Sequence, residues 1–201
     1  MSRTVPQGFA AVTAERISMM ERPQMNAAQS QAADELIAGP RKGVKGPFSP
    51  LLRSPVLLDR MAKVGEYLRF GGLIEQRINE FVTLVVSRHV SNQFEWFTHH
   101  PLALKAGVAA AVLEQLSQGA RPAGMAEDEA LAYDFAIEIL QHHGLADATY
   151  ARAEQQWGQQ GVVELTALVG YFATVSWIMN VARTPARTDD ERLPPMAGFP
   201  C

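Results

Sequence analysis

The sequence contains a single cysteine, Cys201, at its last position. A disulfide framework or a cysteine-based metal site within one chain is therefore excluded, and a thiol on a terminal tail makes a poor catalytic nucleophile. Charge is also scarce. Charged residues make up 19% of the chain, against roughly 25% in an ordinary soluble domain. The 18 basic and 21 acidic residues leave a formal net charge of -3. With no basic excess to neutralise phosphates, no nucleic-acid partner is expected. Glycine-rich phosphate loops are missing too: Gly71-Gly72 and Gly43-x-x-Gly46 lack both the spacing and a preceding strand. The first residues show no positive segment followed by an apolar run. The longest apolar-rich stretch, 162–182, is interrupted by Glu164, Thr166, Thr174, Ser176 and Asn180, so no membrane span is expected. These absences predict a cytoplasmic protein.

What is present is a chain of 201 residues, 47% of them apolar. That suits one domain with a sizeable core and extensions. Residues 1–25, with Pro6, Gly8 and Pro23, read as an irregular N-terminal extension, 26–183 as one helical domain, and 184–201 as a C-terminal tail. Asn26 to Ala38 reads as a helix with Asn26 as N-cap and Gly39-Pro40 as its stop. Two glycines and two prolines in RKGVKGPFSP, 41–50, predict a loop. Ser54-Pro55 opens the next helix, whose apolar positions Leu57, Leu58, Met61, Val64 and Leu68 recur at helical spacing.

A further helical pattern runs from Glu75 to His89. Asn92 and Glu95 form a capping-box pair that predicts a break at 90–92 and a new helix ending near Gly107. Helices are also expected at 109–117, 126–142, 147–157 and 161–182, separated by Gly119, Gly144 and the stretch from Gly158 to Gly161. No segment alternates polar and apolar residues, so the fold class is all-α, a helical bundle. The segments beginning Glu80-Phe-Val-Thr and Glu164-Leu-Thr-Ala echo each other, each placing a glutamate at the head of an apolar helix.

Polar chemistry concentrates between Glu80 and His100. Arg88, Asn92, Glu95 and His99 are spaced four, three and four residues apart. Even with a break at 90–92, the last three share one helix face. Such a row offers a cation, an amide donor, a carboxylate and an imidazole, and a histidine oriented by a carboxylate suits proton transfer near neutral pH. Plainer roles compete: Glu95 as a cap, Arg88 as a surface or inter-subunit charge, His89 as a C-terminal cap, Trp96, Phe94 and Phe97 as core. His100 is the alternative to His99. Glu95 and His99 at i, i+4 suit a shared ion, but His-Glu-x-x-His and cysteine ligand sets are both missing, so no metal and no cofactor are expected.

The stretch 46–107, GPFSPLLRSPVLLDRMAKVGEYLRF followed by RINEFVTLVVSRHVSNQFEWFTHHPLALKAG, resembles the carboxymuconolactone decarboxylase family, with GVVELTALVGYFATVSWIMN at 161–180 similar to its later helix. The Glu-Trp-x-x-His core of Glu95, Trp96 and His99 carries most of the likeness. The superfamily includes alkyl hydroperoxidase D-like proteins, whose pattern is a glutamate, a Cys-x-x-Cys and a histidine. Laid on this chain, that pattern puts the glutamate at Glu80, the histidine at His99, and the two cysteine positions at Asn92 and Glu95. Reduction of peroxide needs a thiolate and a resolving thiol, so a thiol peroxidase is not expected.

The resemblance implies a cofactor-independent decarboxylase acting on a small carboxylated lactone or a related intermediate of aromatic catabolism. His99 would be its proton donor, oriented by Glu80 or Glu95, with Arg88 or His89 anchoring the acid group and Asn92 donating to the oxyanion. Trp96, His100, Tyr171 and Asn180 complete the expected substrate-binding set. A lactone hydrolase using the same His/Glu pair, or a non-catalytic helical oligomer binding a small aromatic ligand, are the alternatives. The low charge content predicts a homo-oligomer, and the resemblance implies a trimer or a hexamer.

Overall fold

The computed structural model describes residues 3–5 and 15–188. Within them lie eight α-helices: α1 Ala27–Ala38, α2 Phe48–Leu51, α3 Pro55–Phe70, α4 Gln76–His89, α5 Gln93–Ala106, α6 Ala110–Ser117, α7 Glu127–His142 and α8 Asp147–Ala182. The protein is all-α apart from two three-residue strands, β1 Arg3–Val5 and β2 Ala186–Thr188, which pair antiparallel. That pairing joins segments the sequence presented as an irregular extension and a tail, because three-residue strands carry too little alternation to be read.

Local signals set the helix ends. The Asn26 side chain accepts from the Gln29 amide and Gln29 answers it, starting α1. Asn92 accepts from the Glu95 amide and starts α5, which Gly107 ends at φ 104°. The expected division of the last helix is present as a break at Gly158 (φ 66°, ψ 177°) inside α8, a conformation that glycine adopts without steric cost. Ser54 and Pro55 open α3 as expected, with Ser54 at the N-cap position but making no side-chain capping hydrogen bond. One expectation fails locally: the loop 41–50 contains the single turn α2, because Pro47 precedes it and Pro50 sits in its first turn, where no amide donor is needed.

Helix α4 is the centre of the packing. Every residue from 78 to 88 is buried, and α5, α7 and α8 all pack against it. Three of its interior polar side chains donate to backbone carbonyls: Asn79 Nδ2 to Leu68 of α3 at 2.6 Å, Thr83 to Asn79 and Ser87 to Thr83. Burying a side chain such as Phe81, Leu84 or Trp96 contributes about 1.5–3 kcal/mol each to a core that also takes Leu165, Leu168 and Phe172 from α8. α8 is long and apolar enough to cross a membrane by length and composition, yet 61% of its most apolar window is buried inside the protein. It is a core helix. A second cluster joins α1, α2 and α3, and the space between it and α5 and α8 contains the site.

Candidate functional site

Glu80 in α4, and Glu95 and His99 in α5, form one line of hydrogen bonds. His99 Nδ1 lies 2.5 Å from Glu80 Oε2, and Nε2 lies 3.2 Å from Glu95 Oε2. The geometry follows from the Asn92 cap, which starts α5 so that Glu95 and His99 fall one turn apart on the same face. All three side chains are buried. Burial alone would push the imidazole pKa down. The hydrogen bonds to Glu80 and Glu95, and their charges, outweigh it and raise His99 above its ordinary value. The two carboxylates thus favour the imidazolium over the neutral ring. The Phe172 ring packs against it in a T-shaped contact, with ring centroids 5.1 Å apart.

A cavity of about 370 Å³ opens on Glu95 and His99, within the size range of small-molecule sites. Phe48, Phe94, Phe172 and Tyr171 form apolar walls, and Arg41, Lys45 and Arg69 bring positive charge. Glycines allow two of the wall's close approaches. A Cβ on Gly46, which has φ +56°, would lie 2.3 Å from the Phe94 ring, and one on Gly65 would lie 2.1 Å from the Tyr171 hydroxyl. Burial raises the pKa of Tyr171 despite Arg41 and Arg69 beside it, so its hydroxyl stays neutral.

Of the residues expected from the sequence, the structure brings together Glu80, Glu95, His99 and Tyr171, with Glu80 behind His99 rather than on the cavity wall. Arg88, His89, Asn92, Trp96, His100 and Asn180 do not line the cavity. Arg88 ends α4 pointing to the other side, with Nε donating to the Ser117 carbonyl at 3.0 Å. His89 is half-buried, and both burial and Arg88 lower its pKa, which argues against a charged helix cap. Asn92 and Asn180 fasten α5 to α8: the Asn92 amide donates to Asn180 Oδ1 at 3.0 Å and to the Ser176 carbonyl, and the Asn180 amide donates to the Val90 carbonyl. Trp96 is core at 1% exposed, and His100 packs on its ring at 5.6 Å.

Sequence reasoning missed Arg41, Lys45, Phe48 and Arg69, and read Phe94 as core or interface rather than as a cavity wall. The one available signal was the basic, glycine-rich loop at 41–46. Among the described residues, no cluster of His, Cys, Asp or Glu is arranged to hold a metal ion; both ring nitrogens of His99 are taken by carboxylates.

This arrangement defines an all-α protein of the alkylhydroperoxidase AhpD core fold. The chain matches the crystal structure of an AhpD core protein, an uncharacterised peroxidase-related protein from Ralstonia eutropha JMP134, with a TM-score of 0.71 and 14% identity over 89% of this chain and 95% of that one. It also matches an uncharacterised peroxidase-related protein from Silicibacter sp. TM1040, with a TM-score of 0.68 and 11% identity over 88% and 95% of the two chains. No family model and no curated protein matches the sequence. At these identities the likeness defines the fold, and the chemistry rests on the site.

Proposed function

We propose that the protein is a cofactor-independent carboxy-lyase acting on a small carboxylated lactone or a related unsaturated ring acid of aromatic catabolism. The observation that carries this reading is the buried Glu80–His99–Glu95 line opening on a cavity walled by aromatic rings and cations. In the reaction, the bond to the departing carboxylate breaks, carbon dioxide leaves, and the electron pair spreads into the ring carbonyl as a dienolate. The ring carbon then takes a proton. His99 supplies it. Nδ1 is committed to Glu80, so the proton leaves from Nε2 to Glu95, which passes it to the ring carbon, and solvent reprotonates the imidazole. Such positioned acid catalysis contributes about 10²–10⁴ in rate.

The raised pKa of His99 favours this lyase over a lactone hydrolase, because activating water requires a neutral imidazole as base. Thiol peroxidase chemistry is disfavoured. Asn92 and Glu95 stand at the positions the redox pattern would give to cysteine, and Cys201 lies outside the described residues. We place the protein in the cytoplasm as a homo-oligomer, a trimer or a hexamer. The outward face of α8 supports association, since Val163, Trp177 and Val181 are 67%, 55% and 62% exposed. Light scattering that gave a 22.0 kDa monomer would refute the oligomer.

The activity is tested by screening carboxylated lactones and unsaturated ring acids for carbon dioxide release and ultraviolet change. Release that disappears in His99→Ala supports the lyase. Ring-opened acid without carbon dioxide would establish the hydrolase instead, and binding without turnover would establish a ligand-binding oligomer.

A further inference from the structure

We infer that Arg41 and Arg69 form a clamp for the carboxylate of a planar ring acid seated in the cavity. The inference rests on the lyase reading for its reaction, and adds the residues that choose the substrate.

The two arginines come from distant parts of the chain. Arg41 lies in the loop after α1, and Arg69 in the last turn of α3. Both line the cavity together with Tyr171, whose hydroxyl Arg41 also hydrogen-bonds. Among the described residues Arg41 has no ion pair, and Arg69 has one long one, to Glu80. Arg41 is held over the Phe48 ring, 4.3 Å from its centroid; it donates to the Ala62 carbonyl and to the Tyr171 hydroxyl. Arg69 stands 3.7 Å from Glu80 Oε1, beyond the roughly 2.7–2.9 Å of a charge-assisted hydrogen bond, and its buried Nε has no hydrogen-bond partner. Arg77 and Arg121, by contrast, sit within 3.1 Å of acidic oxygens.

Charge balance points the same way. Among the residues lining the cavity, the three cations Arg41, Lys45 and Arg69 outnumber the one carboxylate, Glu95, in a chain whose overall charge is -3. A local excess of cations, two of them forked and each of those two pre-set on an aromatic ring, selects a carboxylate. Phe94 and Phe172 supply flat apolar surface for the ring that bears it. The clamp holds the carboxylate that the substrate keeps. Two arginines stabilise a localised anionic charge, so a carboxylate fixed between them is made harder to expel, and the departing group must be a different one.

The test is calorimetric titration of the full-length protein with benzoate and with benzamide, its neutral counterpart. Benzoate is expected to bind, with benzamide weaker by about tenfold or more. Arg41→Met and Arg69→Met should each weaken benzoate by about tenfold or more and leave benzamide within about twofold. Lys105→Met removes the same charge at a residue that does not line the cavity, and should leave benzoate within about twofold. Melting curves check each fold. Arg69→Lys retains the charge beside Glu80 but loses the fork, and should also weaken benzoate if Arg69→Met does not fold. Absent benzoate binding, equal affinity for benzoate and benzamide, wild-type affinity in the arginine variants, or an equal loss in Lys105→Met would each overturn the clamp. No turnover enters this measurement, so failure to release carbon dioxide overturns the lyase and leaves the clamp standing.

Discussion

Two buried glutamates occupy matching places in this fold and do different work. Glu80 stands near the start of α4 with Gln76 one turn before it; Glu164 stands past the break in α8 with Gln160 one turn before it. Both accept from that glutamine. Glu164 then gives its remaining capacity to fixed donors, the Tyr67 hydroxyl at 2.6 Å and the Leu73 amide at 2.5 Å, and so ties α8 to the end of α3 and the turn that follows it. Glu80 meets His99, a group that titrates and whose other nitrogen faces a cavity-lining carboxylate. The same residue in the same helical setting becomes a structural strut or part of a proton line according to whether its partner can exchange a proton with a cavity.

The difference is broken most severely by removing the titrating partner. His99→Ala is expected to lower kcat by about 10²–10⁴-fold. It also leaves Glu80 and Glu95 buried without their shared cation, a loss of about 3–5 kcal/mol in stability. His99→Gln also removes the cation but keeps an amide donor in the line, so it should lose the same activity while losing less stability than His99→Ala. Steady-state kinetics and thermal melting of the two variants separate the roles, and an active His99→Gln would make Glu80 a strut like Glu164.

Glu164→Ala should do the reverse. It strips acceptors from the Leu73 amide and the Tyr67 hydroxyl, at about 2–4 kcal/mol, which is roughly 5–15 °C in Tm for a chain of this size. At a temperature where the variant is folded, kcat should stay within about twofold of the wild type. A specific collapse of kcat in a well-folded Glu164→Ala would erase the distinction.

The two regions should also respond to opposite ends of the pH scale. Burial pushes the Glu164 pKa up, but the hydrogen bonds from Gln160, Tyr67 and the Leu73 and Ile74 amides more than reverse it, leaving the carboxyl below its ordinary value of 4.5. Its contribution to stability is present above that value and is lost as pH falls through the lowered one. His99 is raised above 6.5, so its contribution is complete below 6.5 and is lost as pH rises through the raised value. Urea unfolding across pH should show an acid limb that flattens in Glu164→Gln and an alkaline limb that flattens in His99→Gln.

The smallest effect is expected at the neighbouring histidine. His100→Ala loses the ring contact with Trp96, about 0.5–1.5 kcal/mol, and should leave kcat within about twofold, because His100 does not line the cavity. A loss of activity matching that of His99→Ala would show that the cavity is not where the reaction occurs.

Much of this protein is determined by neighbours along the chain. The cap at Asn92 depends on a side chain and an amide three residues apart, and the break at Gly158 on one residue's conformational freedom. Helical spacing places Glu95 and His99 on one face before any tertiary contact is known. The resemblance added Glu80, whose partner is 19 residues away. Tertiary packing decided the rest. It turned Arg88 toward the Ser117 carbonyl, spent Asn92 and Asn180 on the joint between α5 and α8, and sank Trp96 into the core. It also brought Arg41 and Arg69, from a loop and a helix end, onto the same wall as Tyr171. A helix face follows from a repeat of 3.6 residues. A cavity wall follows from which elements touch, and those contacts are set by burying apolar surface across the whole domain, with no local period from which to read them.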